Sequence, residues 1–224
     1  MRPSVEQERR EQLIAAAARV IARSGYDAAT VRDVAREAGV STGVIAYYFE
    51  GKDDLFAHVL RAASRAFRAR LESARDDAET PGARLLALAE AATPDDEEAV
   101  KAHALWIDFW ARAARDPALA GLTVRLYDGW RREIADAVRD GQRAGAFRCD
   151  ADPEAFARGY AAAADGLATH VVLHRGVVSP DDMRAACAAL VDALAADRST
   201  EAAGAHADSR AARRACRRMP GSAD

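Results

Sequence analysis

The sequence predicts an all-α fold, with a small three-helix unit that carries a helix-turn-helix followed by a larger helical bundle. Three observations predict it. Half of the residues are apolar, yet alanine dominates that share and aromatics make up only 6%. Apolar residues recur at three- and four-residue spacing, and no useful length alternates as a strand would. Proline is scarce, at seven in 224 residues.

The first helix is expected from about Val5 to Ser24, because Leu13, Ile14, Ala17, Val20 and Ile21 form a core-facing stripe. Gly25 supplies a natural stop, and Thr30 is placed to cap a second helix over about Val31 to Glu37. Asp33, three residues on, completes a variant of the capping box and suits the positive end of the helix. Gly39 permits the left-handed backbone of a tight turn, and Val40 plugs the angle. Ser41 caps a third helix of about two turns, and Gly51 interrupts again before a long helix from Lys52 to about Asp77.

Beyond "AETPGA", helices are expected near 83–92, 97–115, 117–144, 154–174 and 182–196. Residues 197–224 are small and charged without an apolar stripe, and disorder is expected there. The chain therefore divides into a helix-turn-helix part at 1–52, a helical part at 53–196, and a tail.

Two short helices joined at a steep angle by Gly39 are a helix-turn-helix pattern, whose second member enters the DNA major groove. Spacing alone leaves a second reading open, that of a corner in a helical bundle. The second helix, "STGVIAYYFEGK", has no Arg, Asn or Gln for two-pronged base recognition. Ser41, Thr42 and Tyr47 can make single hydrogen bonds there, and Gly43 lets the backbone approach the groove wall. Tyr48 and Lys52 suit phosphate, whereas Phe49 reads as core. Residues 1–52 hold eight basic and seven acidic side chains, a balance of +1. So weak a charge requires two copies acting together on a symmetric site.

The run "GYDAATVRDVAREAGVSTGVIAYYFEGKDDLF" closely resembles the DNA-binding domain of tetracycline-repressor (TetR) type regulators. The likeness spans about Glu8 to Leu60 and includes Thr30 in "T-x-x-x-[IV]-A-x-x-A-G-V-S" and Lys52 in "Y-F-x-x-K-x-x-L". It implies a dimeric, all-helical transcriptional regulator, with double-stranded operator DNA and a small-molecule effector as partners. One departure stands at Ala46, where the family usually has a phosphate-touching tyrosine. "GVSTGVIAYYF" is most similar to choline–betaine operon repressors, which also have a small residue there. The resemblance continues loosely over 97–196, through "FWARAARDPAL" and "DGL", and implies dimerisation through the last two helices.

In the larger half, His103, Trp106 and Trp110 share a helical face with Phe109 nearby, and Tyr127, Trp130, Tyr160 and Asp165 follow. These side chains read either as core or as the lining of an effector cavity. An aromatic cage for a quaternary amine follows only from the resemblance. Alanines at 161–164, 185, 186, 188 and 189, with Val171, Val172, Leu190, Val191 and Leu194, suit both intrachain packing and a two-fold interface. His170 and His174 stand four apart, but no cysteine or carboxylate ligand is near in sequence, so no metal or other cofactor is expected.

No catalytic triad, phosphate loop or zinc-hydrolase motif occurs, and an enzyme is not expected. Three cysteines, with no secretory or membrane-spanning run, fit a reduced cytoplasmic setting without membrane attachment. The reading is a ligand-responsive regulator, a repressor, acting on a palindromic operator as a homodimer. The alternative is a helical ligand-binding protein that has lost DNA binding, for which Ala46 is the only hint.

Overall fold

The computed structural model describes residues 5–195. Within them the chain forms helices α1 (Val5–Ala28), α2 (Val31–Ala38), α3 (Thr42–Tyr48), α4 (Lys52–Asp76) and α5 (Pro81–Ala92). It continues with α6 (Glu97–Ala113), α7 (Pro117–Ala144), α8 (Pro153–Leu173) and α9 (Pro180–Asp192). The expected tail, from 197 onward, lies outside the described residues.

The described chain divides into two compact units. One takes the residues up to Ala69 together with Pro94–Tyr127; the other takes Arg70–Thr93 and the residues from Asp128 on.

The first unit is built on the predicted stripe of α1, in which Leu13, Ile14, Ala17, Val20 and Ile21 are all buried. Val34 and Ala35 of α2, Ile45 of α3 and Leu55, Phe56, Val59 and Leu60 of α4 close on it. Leu105 and Phe109 of α6 and Leu119 and Leu122 of α7 join the same cluster. Burying each large side chain contributes about 1.5–3 kcal/mol, so α2 and α3, too short to persist alone, become fixed against the longer helices.

Local chemistry sets the angles. Gly25 leaves helical geometry at φ 76° and ψ 162°, so α1 breaks where its end is predicted and then adds one further turn to Ala28. At α2 the Thr30 hydroxyl accepts from the Asp33 N–H at 3.2 Å, and the Asp33 carboxylate accepts the Thr30 N–H at 3.2 Å. The predicted capping box is therefore complete. Gly39 takes the left-handed conformation (φ 65°, ψ 35°), and the Val40 N–H reaches back to the Ala35 carbonyl at 3.0 Å. Ser41 occupies the cap position of α3, but its side chain makes no capping bond.

In the second unit, α9 packs on both α5 and α8. Tyr160 is buried and donates its hydroxyl to the Leu85 carbonyl at 2.8 Å, joining α8 to α5. Arg84 of α5 reaches two carboxylates on α7, Glu133 at 2.7 Å and Asp140 at 3.1 Å. The last helix stops at Asp192 rather than near Ala196, because the backbone is drawn into another pairing. The Arg148 N–H donates to the Leu194 carbonyl at 2.9 Å, and Phe147 bridges to Ala195.

Candidate nucleic-acid interface and effector face

Helix α3 is held by one side and shown by the other. Ile45 and the following Phe49 are buried, while Ser41, Thr42, Gly43, Ala46 and Tyr47 are exposed. Thr42, Gly43, Ala46 and Tyr47 share one helical face, and the Tyr47 ring is 75% exposed. A large aromatic side chain left that open on a two-turn helix is not held there by the core. Tyr48 is half-buried, with its ring edge-on to Tyr47 at 5.0 Å.

The space around Gly43 bears on its part. A β-carbon there would meet only the Ser41 hydroxyl, at an ordinary 3.6 Å. The fold itself does not require glycine at this position, although glycine costs helix stability. What it leaves is a bare backbone on the outward face.

Thr30 and Lys52 sit differently. The Thr30 hydroxyl accepts from the Asp33 N–H in the capping box and also donates to the Asp33 carboxylate, which holds that carboxyl below the usual carboxylate range. The Lys52 ammonium donates to the Asp27 carbonyl at 2.9 Å and lies 5.3 Å from the centre of the Tyr26 ring and 5.5 Å from that of Phe56. It ties the start of α4 to the last turn of α1, so its first partner is the protein's own backbone.

Of the effector candidates, the structure brings three together on α6. The His103 ring is edge-on to Trp110 at 5.8 Å, and Trp106 lies 6.2 Å from Trp110. His103 is 8% exposed, and burial pulls its pKa down to about 4, so the imidazole is neutral near pH 7. Phe109 points elsewhere: it is fully buried in the cluster with α1, edge-on to Tyr26 at 5.7 Å. Tyr127 is half-buried in the same unit. Trp130, Tyr160 and Asp165 belong to the second unit, where the first two are buried and Asp165 is half-buried. Tyr160 stacks on Phe156 at 5.4 Å.

Sequence reasoning missed the other side of α6. Arg112 donates to the Asp27 carboxylate at 3.2 Å, and the Asp108 carboxylate accepts the Tyr26 N–H. Burial raises the Asp108 pKa despite that bond. Tyr26 donates its hydroxyl to Asp53 at 3.0 Å, so the first residues of α4 are tied into the same cluster. The glycine–aromatic pair at 25–26 was the available signal; its partners on α6 lie more than eighty residues away and carry no local mark.

Among the described residues no group of three or more His, Cys, Asp or Glu side chains could hold a metal, and no helix is long and apolar enough to cross a membrane. The His170 and His174 rings stack at 5.1 Å where α8 ends, His174 being its C-terminal cap.

Comparison with known proteins matches both parts of the chain. Residues 13–59 fit the family described as bacterial regulatory proteins, tetR family, and residues 81–196 fit the BetI-type transcriptional repressor, C-terminal. The HTH-type transcriptional regulator BetI 2 of Chromohalobacter salexigens is 36% identical over 186 residues, which cover 81% of this chain and 84% of that protein. BetI of Pseudomonas aeruginosa is 34% identical over 171 residues, or 71% of this chain and 79% of the relative. A transcriptional regulator from Saccharomonospora viridis, solved in complex with choline, superposes with a TM-score of 0.79 at 29% identity, over 85% of this chain and 99% of that one. One from Rhodococcus superposes at 0.72 with 28% identity, over 83% and 95%.

Proposed function

Because the chain belongs to the TetR family and its larger part is of the BetI type, we propose that this DNA-binding transcriptional regulator is an effector-responsive repressor that occupies a palindromic operator as a homodimer. The observation that carries the reading is the two-sided character of α3, with Ile45 buried against the core and Thr42, Gly43, Ala46 and Tyr47 turned outward. On this reading residues 1–52 bind DNA, residues 53–196 bind effector and pair the two copies, and the protein works in the cytoplasm. Thr42 and Tyr47 touch bases, Gly43 lets the backbone approach, Ser41 and Tyr48 bond phosphate, and Thr30 and Lys52 hold the motif in position.

The outer face of α8 supports pairing. Gly159, Ala162, Gly166, His170 and Leu173 are exposed, and a β-carbon at either glycine would meet nothing within 4 Å. Two unprotected glycines in one helix weaken it by roughly 0.5–1 kcal/mol each, a cost that close approach of a second copy would offset. Exposed Leu173 and Val177 extend the same end.

For the effector we infer a small quaternary amine of choline's kind. A Saccharomonospora relative of the same fold was solved with choline. In this chain α6 offers Trp106 and Trp110 beside an imidazole that stays neutral, so the lining adds no positive charge against a cation. Tyr127, in the same unit, is a further candidate for that site, while Trp130, Tyr160 and Asp165 stay candidates within the second unit. Helix α6 carries these rings on one face and Phe109 and Arg112 against the α1–α2 segment on another. An effector that favours one position of α6 therefore favours one setting of the DNA-binding helices, by as much as its affinity differs between the two states.

The test is a gel-shift of the purified protein on the DNA upstream of its own gene, with and without choline. A retained fragment that choline releases supports both statements. Retention unaffected by choline removes the effector assignment. No retention at all favours the second reading, a helical ligand-binding protein without DNA binding, for which Ala46 in the family's tyrosine position is the specific indication.

A further inference from the structure

Helices α7 and α8 of the second unit line a groove of about 380 Å³, the size of a small-molecule site. Its floor is apolar and short, made by Ala135 of α7 and Ala157 of α8, both buried. Its walls are charged: Asp128, Arg131 and Arg132 stand on α7, and Glu154 and Arg158 on α8. Helical geometry brings them together. Positions 128, 131, 132 and 135 recur at three and four residues, as do 154, 157 and 158, so each set shares one face of its helix.

The charges of the groove do not cancel. Arg131 pairs with Asp128 on its own helix. Glu154 is paired with Arg139, which is not among the lining residues and also bonds Asp136 at 2.8 Å. Both acids of the walls are thereby neutralised. Arg132 gives only its Nε–H, to the Asp128 carbonyl at 3.3 Å, which leaves the two terminal amino groups of its guanidinium without a partner among the described residues. Arg158 is exposed and bonds none of the described residues. Two guanidinium groups, one from each helix, therefore line one groove with no carboxylate to match them. Guanidinium keeps its proton near pH 7, so the excess is permanent, and it disfavours any cation there.

We propose that this groove is a second ligand site, for a small anion bearing a carboxylate or phosphate group, which Arg132 and Arg158 hold from two helices. The guanidinium plane presents its N–H groups as a fork that matches the oxygens of either group two at a time. The alanine floor gives the rest of such a molecule an apolar seat. A quaternary amine of the kind inferred for α6 has the wrong sign of charge for it. Because both arginines are open to water, salt screens the attraction, and binding is expected at millimolar rather than micromolar concentration. A bound anion joins α7 to α8 and stabilises the folded chain by mass action.

The test is thermal unfolding of the full chain at pH 7 against rising sodium succinate and, separately, sodium phosphate, with sodium chloride at equal ionic strength as reference. A saturable rise in melting temperature of a few degrees above the chloride curve is expected with at least one of them. Saturation by succinate alone supports a carboxylate ligand, and by phosphate alone a phosphate ester. The variant carrying R132Q and R158Q should lose the rise, whereas R125Q, which removes an exposed arginine of α7 in the first unit, should keep it. If the double variant melts too early to titrate, each single variant should show the rise at severalfold higher anion concentration. An undiminished rise in the arginine variants would overturn the proposal, as would curves that coincide with that of chloride. So would a rise that climbs without saturating, which is the general exclusion of such salts from protein surface.

Discussion

Arg112 of α6 donates to the Asp27 carboxylate at 3.2 Å while its guanidinium lies 5.3 Å from the centre of the Tyr26 ring. One side chain on the helix that carries Trp106 and Trp110 thus holds the segment entering the DNA-binding helices. The pair is open to water, with side-chain exposures of 36% for Arg112 and 77% for Asp27, so its contribution to stability is small, about 0–1 kcal/mol.

This separates coupling from stability. Arg112→Ala is expected to leave the melting temperature within a few degrees of the parent and to retain operator binding, while the fold-change that choline produces in that binding shrinks severalfold. Operator titrations with and without choline measure it, and an undiminished response would remove Arg112 from the connection. Phe109→Ala, in the same helix but fully buried, should instead cost about 3–5 kcal/mol and destabilise the whole unit.

Gly43→Ala should move stability and function in opposite directions. The new methyl group has room beside Ser41, so thermal stability should rise by roughly 0.5–1 kcal/mol. Operator affinity should fall, because the methyl group stands on the face that meets the groove. Unimpaired binding by the stabilised variant would show that this glycine makes no close approach.

Gly141 is a glycine that the fold does require. A β-carbon there would come within 1.9 Å of the Phe147 ring, which is itself buried. Gly141→Ala should therefore cost about 1–3 kcal/mol in urea unfolding. Adding Phe147→Ala should recover part of that loss, and strict additivity of the two losses would argue against the clash.

The α2 cap should show in the acid limb of stability. The Thr30 hydroxyl is the first cause of the depressed Asp33 pKa, ahead of the Thr30 N–H and Arg36. A carboxyl whose folded pKa is depressed stabilises the fold above its unfolded value, near 3.9, and loses that contribution as pH falls through the folded value. Thr30→Val should thus be less stable than the parent at neutral pH, the lost cap by itself costing about 0.5–2 kcal/mol. The gap should narrow as pH drops below about 4, and a gap of constant size down to the acid transition would contradict the linkage.

The nine helices of the described residues were legible in order because local rules wrote them. Thr30, Gly39 and Ser179 mark helix ends through backbone geometry that the residue type decides, and the stripe of α1 follows from its period. The exposed face of α3 could be read as well, since burying Ile45 turns Thr42 and Tyr47 outward on any two-turn helix. Contacts distant in the chain decided the rest. Lys52 bonds a carbonyl twenty-five residues back, Phe109 leaves the rings around it to join Tyr26, and Arg112 finds Asp27. Spacing along a chain orders the sides of one helix; which side meets which neighbour depends on how the whole core packs, and no local pattern encodes that.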